Sequence, residues 1–339
     1  MSSPGADAAT GDTMANYAVG VDFGGTKVIA SVVDVKSGKI SGSAKVRTSL
    51  FDSGDALMER IYEVVDGALG DAGAKTRDIE GIGVGIAGQV NADEGLLIGT
   101  ANLSRSVVNL PMAKMLKKRY DVNAEIRNDV QIAAVGEHHF GAGKGVDNFI
   151  CVFVGTGIGG AIVVNGELIR GAAGNAGEIG HTTIMADGRI CGCGGRGHLE
   201  AYASRTAITK TILGELRRGR KSIVTDLIDD LDPTAGHAAI RSGVLKKAVS
   251  KKDEVVTEVI SDAGRYLGMG LSSVVNFVNP QRIILGGGVI ESVDLLFKKT
   301  EYWTRHDSLP HAGDQVEIVR SKLGDFSGVV GAAVIAAGA

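Results

Sequence analysis

Apolar and polar positions along the chain alternate between short strand-like runs and longer helical stripes. Tyr17 to Val21 is an apolar run of strand type, Val28 to Val35 a second, and Ile40 to Val46 a third after a turn at Lys36-Ser37-Gly38-Lys39. Ser53 to Leu69 changes to helical spacing, with Leu57, Ile61, Val64, Val65 and Leu69 on one face and Asp52 or Ser53 as N-cap. Ile82 to Ile86 reads as a strand, Pro111 to Tyr120 as a helix with proline in its first turn, Val122 to Ile126 as a strand, and Val130 to Phe140 as a helix. Phe149 to Val154 is a buried strand. Ala161 to Val164 and Glu167 to Arg170 flank Asn165-Gly166, a strong local signal for a hairpin. Thr206 to Ser250 is mostly charged helix interrupted at Asp232-Pro233, and no chemistry is expected of it. Asp253 to Asn276 carries the stripe Val256, Ile260, Ala263, Leu267, Val274 and should stop before Asn279-Pro280. Arg282 to Leu285 is a strand, and Ser327 to Ala339 a small-residue helix expected to pack back on the first domain.

Glycines punctuate the ends of three of these strands. Gly155-Thr156-Gly157-Ile158-Gly159-Gly160 follows Val154, and Asp22-Phe23-Gly24-Gly25-Thr26-Lys27 follows Val21. Such loops aim successive N–H groups at one anion, and a threonine hydroxyl adds a donor. The first of them matches G-x-G-x-x-G, but a dinucleotide loop must open a helix, and here a hairpin follows. Gly20-x4-Gly25-Thr26-Lys27 misses a P-loop because Thr and Lys are in the wrong order. A hairpin with a phosphate-type loop occurring twice, about 130 residues apart, suggests duplication. Two such halves around a central cleft define the actin-like ATPase (ribonuclease H-like) α/β fold, which is the fold expected. Gly286-Gly287-Gly288 is a third loop, suited to a flat ring or ribose. Gly83 to Gly88 is another G-x-G-x-x-G match without the expected acid downstream, and is read as a strand end lining the cleft.

Composition narrows the setting. With 339 residues the chain is long for one core. Two domains are expected, residues 16–131 with 325–339 and residues 132–324, after a disordered leader over 1–15 without the apolar core of a signal peptide. Met14 stands as an alternative start. The 44% hydrophobic and 22% charged content is that of a globular protein, and a net charge of −3 leaves no basic footprint for nucleic acid or membrane. Three cysteines make no disulfide framework and favour a reducing cytoplasm.

Two clusters carry candidate chemistry. Asn128-Asp129 stands at a strand-to-helix junction, where α/β clefts open. Asn128 with Gln131 three residues on is also a capping box, so Asn128 caps while Asp129 is free to face the cleft. His181, Cys191, Cys193 and His198 lie within eighteen residues. Two thiols and two imidazoles suit a closed tetrahedral zinc site, which would order a loop rather than activate water; the alternative is two free thiols with incidental histidines. Cys151, His138, His139, His237, His306 and His311 have no partner at ligand spacing.

Together, Asp22 to Lys27, Asn102-Leu103, Asn128-Asp129, Gly155 to Gly160, Glu178-Ile179-Gly180-His181, Cys191-Gly192-Cys193-Gly194 through Glu200, and Gly286 to Gly288 make the chain resemble the ROK (repressor, ORF, kinase) family of sugar kinases, over roughly 17 to 335. The resemblance implies ATP-dependent phosphorylation of a hexose such as glucose, with N-acetylmannosamine, N-acetylglucosamine and fructose kinases open alternatives, as is a sugar-sensing regulator, for which no basic helix-turn-helix module is evident. It makes Asp129 the general base and Asn102, Asn128, Glu178, His181, Glu200 and Gly88 the sugar contacts. ATP phosphates would lie on Gly24, Gly25, Thr26 and Lys27 and on Gly155, Thr156, Gly157, Gly159 and Gly160, with adenosine beside Gly286, Gly287 and Gly288 and Mg²⁺ near Asp22. It implies structural Zn²⁺ on His181, Cys191, Cys193 and His198, and a homodimer or homotetramer. Two departures stand out: His198 occupies the place of a usual third cysteine, and Ser104-Arg105 follows Asn102-Leu103 where an aromatic is common. Neither the sugar nor the choice of ATP over polyphosphate is set by these residues.

Overall fold

A computed structural model describes residues 16–25, 27–48, 53–100, 107–228 and 240–338. Thr26, Asp52, Asn102 to Arg105, Asp232-Pro233, His237 and the expected leader lie outside the described residues. In chain order the first part holds β1 (Tyr17–Phe23), β2 (Lys27–Asp34), β3 (Lys39–Arg47), α1 (Gly54–Ala72) and β4 (Gly81–Ile86). It continues with β5 (Gln89–Asn91), β6 (Leu96–Gly99), α2 (Met112–Tyr120), β7 (Asn123–Asn128) and α3 (Asp129–Phe140). The second part opens with β8 (Phe149–Val154), β9 (Ile158–Val164) and β10 (Glu167–Leu168), then α4 (Glu200–Ala203), α5 (Arg205–Arg217), α6 (Val224–Leu227), α7 (Ser242–Ser250) and α8 (Glu254–Val278). β11 (Arg282–Gly286), α9 (Gly288–Ser292), α10 (Asp294–Asp307), α11 (Pro310–Gln315), β12 (Glu317–Arg320) and α12 (Ser327–Ala336) complete it.

The strands form two five-stranded sheets of matching topology, β3-β2-β1-β4-β7 and β10-β9-β8-β11-β12. In each, a meander of three antiparallel strands is extended by two parallel ones. The repeat expected from the two hairpins is therefore a repeat of the whole sheet, and the fold is the duplicated actin-like ATPase architecture. The second hairpin turns on Asn165 and Gly166 at φ 53° and 78°, the left-handed pair that two-residue β-turns require.

Local signals account for several helix ends. Ser53 Oγ accepts from Ala56 N at the start of α1, and α8 stops with Asn279 in the left-handed region just before Pro280. Asn128 caps α3, its side-chain oxygen accepting from Val130 N at 2.9 Å and Gln131 N at 3.3 Å. The box is not reciprocal, because Gln131 Nε2 turns away to Gly174 O at 2.9 Å. One sheet packs its core on α1 and α2, around Leu57, Ile61, Val65, Ile82 and Leu116. The other packs on α8 and its neighbours, around Ile150, Val152, Ile260, Leu267 and Leu285.

Between the sheets lie α3 and α12, and here glycine decides the spacing. A Cβ on Gly331 would come within 1.7 Å of Ile132 O, and one on Gly136 within 2.4 Å of Ser327 O. The same holds in the sheet: a Cβ on Gly20 would meet Val329 O at 1.7 Å, and one on Gly83 would meet Ala332 O at 1.9 Å. Gly85 faces Ile132 in the same way. The β4 glycines thus admit α12 and α3 against the strand, and the expectation that Gly83 and Gly85 line a cleft is corrected to helix packing. Glu137, fully buried, bolts this layer together. Its carboxylate accepts from Ala142 N (2.7 Å), Leu323 N (2.9 Å), Lys322 N (3.1 Å) and Ser327 Oγ (2.8 Å). Among the described residues no helix is long and apolar enough to cross a membrane.

Candidate active site

Parallel strands bring their carboxyl ends to one edge of a sheet, and loops leaving that edge share a crevice. β1, β4 and β7 are parallel, so Asp22 and Gly24-Gly25, Ala87-Gly88, and Asn128-Asp129 emerge side by side. β8 and β11 are parallel, which places Gly155 to Gly157 beside Gly286 to Gly288. The two edges face each other. A Cβ built on Gly25 would stand 3.8 Å from Thr156 Oγ1, so the two phosphate-type loops meet across a single gap.

Each loop is held by the chain around it. Gly24 N donates to Lys27 O at 3.0 Å and Thr48 Oγ1 donates to Gly24 O at 2.7 Å. Gly155 N donates to Gly157 O at 2.9 Å. A Cβ on Gly157 would sit 2.2 Å from Glu200 Oε2, so a larger residue there would push that carboxylate aside. Gly159 and Gly160 serve packing: their Cβ atoms would collide with Val130 Cγ2 and Gly177 O at 2.5 Å each. At the third loop Gly286 and Gly287 are pressed against Phe153 and Val154, whereas Gly288 is exposed and a Cβ there would only touch Ser242 Oγ at 3.5 Å. Lys27 Nζ forms an ion pair with Asp325, a partner that no sequence pattern announces.

The acids of the crevice feel one another. Asp129 keeps some contact with solvent, yet protein surrounds it, and burial lifts its carboxyl from 3.8 to about 6, with Glu178 adding repulsion and the Val130 N–H opposing. Asp22 rises from 3.8 to about 7 through burial, then through Asp129, with Lys27 opposing and Asp325 adding. Partial burial also raises Glu178, whose shift His181 opposes and Glu200 reinforces. Asp22 thus feels Asp129, Asp129 feels Glu178, and Glu178 feels His181 and Glu200, while Asn128 Nδ2 donates to Gly88 O at 3.4 Å. Glu200 is fixed at both oxygens, Oε2 accepting from Ile158 N at 2.9 Å and Oε1 from Cys191 Sγ at 3.5 Å.

Beside it, His181, Cys191, Cys193 and His198 offer ligand atoms that all lie within 4.8 Å of one another. Cys193 Sγ is 3.2 Å from His198 Nδ1, and Cys191 Sγ is 3.8 Å from His181 Nδ1. A tetrahedral zinc with bonds of about 2.0–2.3 Å spaces its ligands by roughly 3.3–3.8 Å, so this N₂S₂ cage fits the ion with a small contraction. His181 turns Nδ1 to the Cys191 thiol.

The stretch expected to be chemically silent begins at Thr206, and that residue, with Arg205 just ahead of it, holds the second glycine loop. Arg205 and Thr206, at the start of α5, bind the second glycine loop: Arg205 N to Gly155 O at 2.9 Å, Arg205 Nη2 to Thr156 Oγ1 at 2.8 Å, and Thr206 Oγ1 to Thr156 O at 2.7 Å. A cavity of about 460 Å³ continues from Thr156 and Gly157 along Thr206 and Lys210. Helical charge patterning alone hides this, because the partner loop is about fifty residues away.

Comparison with known proteins agrees with the geometry. A glucokinase of Halalkalibacterium halodurans is 31% identical over 92% of this chain and 92% of that protein. The transcriptional regulator NagC of Escherichia coli is 30% identical over 91% of this chain and 78% of that protein. A ROK family glucokinase from Streptomyces griseus, solved in complex with glucose and AMPPNP, superposes with a TM-score of 0.83 at 29% identity, covering 95% of this chain and 100% of that one. The sequence pattern of the ROK family matches residues 18–339, and with these relatives spanning the same crevice-bearing halves, the chain belongs to the ROK family.

Proposed function

We propose that this protein is a glucokinase, transferring the γ-phosphoryl group of ATP to the 6-hydroxyl of glucose. The observation that carries the reading is the approach of the Gly24-Gly25 loop to Thr156 across the crevice, with Asp129 on the same edge. Glucokinases among the relatives, and the AMPPNP and glucose of the S. griseus structure, support the substrates.

Phosphoryl transfer needs little covalent help; positioning, charge stabilisation and one base suffice. The backbone N–H groups of Gly25, Thr156 and Gly157 hold phosphate oxygens, and the exposed Gly288 lies beside adenosine. Asp129 takes the proton from the sugar 6-hydroxyl as its oxygen attacks the γ-phosphorus and ADP departs. A base with a carboxyl near 6 is ionised at neutral pH and stronger than an ordinary aspartate. Glu178, Glu200, Asn128 and His181 Nε2 hold the other hydroxyls, joined by Asn102. Asp22 is the residue to hold magnesium, which when bound would neutralise phosphate charge; its raised carboxyl marks a negative charge that a cation would relieve.

Zinc on His181, Cys191, Cys193 and His198 braces the loop that presents His181 and Glu200 to the sugar. Two lobes, 16–131 with 325–339 and 132–324, a homodimer or homotetramer, and work in cytoplasmic glucose metabolism go with this reading. A coupled assay across glucose, mannose, fructose, N-acetylglucosamine and N-acetylmannosamine, with ATP and polyphosphate as donors, tests it. Glucose with ATP should give the highest kcat/KM, and a protein inert toward every sugar would refute the assignment.

A further inference from the structure

Among the described residues Arg205 is a cation without an anion. It sits half-buried on the first turn of α5, behind the N-cap Ser204. Among the described residues no carboxylate lies within ion-pair distance of it; burial alone acts on it, depressing its basicity with no charged group opposing. Its guanidinium donates instead to the neutral Thr156 Oγ1 at 2.8 Å. Most other arginines of the described chain that show side-chain contacts, such as Arg119, Arg170, Arg220 and Arg282, are paired with carboxylates. A buried guanidinium left in this state is destabilising unless an anion comes to it.

The bond also dictates what Thr156 does. With a lone pair of Oγ1 occupied by an arginine N–H, the hydroxyl proton must turn elsewhere, and the exposed side is the crevice, where a Cβ built on Gly25 would stand 3.8 Å off. Thr156 is thereby set as a donor. Its backbone is held as well, by Thr206 Oγ1 on its carbonyl and by Arg205 N on Gly155 O.

We propose that Arg205 is a positioning residue for the nucleotide: it orients the Thr156 hydroxyl as a phosphate donor and supplies positive charge to the phosphate chain between the glycine loops. This rests on the kinase reading above and adds a residue that the glycine pattern does not contain. A charge-assisted contact of this kind serves the nucleotide and leaves the sugar untouched, which separates it from a structural role.

The test compares wild type with Arg205→Met, Arg205→Lys and Thr156→Ala. AMPPNP affinity is measured by calorimetry, and KM for ATP and for glucose separately. Arg205→Met should weaken AMPPNP and raise the KM for ATP by about tenfold or more, with the KM for glucose within about twofold of wild type. Arg205→Lys should recover part of the loss, keeping charge without the planar fork. Combining Arg205→Met with Thr156→Ala should cost less than the product of the two single losses. Unchanged AMPPNP affinity in Arg205→Met overturns the proposal, as does an equal loss for both substrates together with a lowered Tm. If Arg205→Met does not fold, the Arg205→Lys affinities decide by the same criteria. A wild type that binds AMPPNP but phosphorylates no sugar would refute the kinase reading, while the calorimetry still decides on Arg205.

Discussion

Replacing Asp22 by Asn should make the free protein more stable, and increasingly so as the pH rises. The substitution is nearly isosteric, so packing of the side chain against Gly328 is preserved and the change is electrostatic. In the folded chain the Asp22 carboxyl lies at about 7, against 3.8 for the ordinary group. A raised carboxyl contributes stability below its unfolded value and loses it as the pH climbs through the folded one. Each unit of difference is worth about 1.4 kcal/mol, so holding Asp22 ionised in the folded state at pH 8 opposes folding by roughly 4 kcal/mol. Water in the crevice makes that an upper bound. At pH 5, where the folded carboxyl is protonated, the opposition is only roughly 2 kcal/mol. The advantage of Asp22→Asn should therefore widen by roughly 2 kcal/mol between pH 5 and pH 8. Urea unfolding of both proteins at the two pH values, without magnesium or nucleotide, reads this directly, because titrations common to both cancel. The variant should at the same time lose magnesium-dependent turnover. A stability difference that is flat with pH, or that favours wild type at pH 8, would refute the argument that Asp22 is held charged against its surroundings.

Other expectations follow from the same geometry. Asp129→Asn should lower kcat by about 10²–10⁴ with glucose still bound, as read by steady-state kinetics and calorimetry. Since Asp129 acts ionised and its carboxyl lies at about 6, wild-type kcat/KM should rise with pH, half-way at about 6 and level from about a unit above it, in a profile measured from pH 4.5 to 8. Glu137→Ala leaves four donors unmet in a buried layer and should cost at least about 3 kcal/mol in denaturant unfolding. Elemental analysis should find about one zinc per chain, and His198→Ala should release most of it; a metal-free, fully active wild type would refute the metal's role.

Much of this molecule could be read from its residues in order. Local rules are enough for Asn165-Gly166, whose left-handed pair makes a hairpin wherever it falls between β-prone runs, and for Ser53, Asn128 and Asn279-Pro280, which end helices by bonds within a few residues. Two such hairpins, each after a glycine loop, were sufficient to infer a duplicated sheet, and the C-x-C with flanking histidines pointed to four side chains that the fold brings within 4.8 Å of one another. What lay beyond reach was every feature made by two distant segments. The β4 glycines match a nucleotide fingerprint in letters, yet they exist because α12 and α3 press on the strand from hundreds and tens of residues away. Gln131 satisfies a capping pattern and spends its side chain on Gly174 instead. Lys27 meets Asp325, Glu137 ties residues 322 to 327, and Arg205 reaches Thr156 because helix and loop converge only in the folded chain. The acidity of Asp22 and Asp129 belongs to the same class: a carboxylate's pKa is set by the solvent it loses and the charges brought beside it, and tertiary packing alone supplies both.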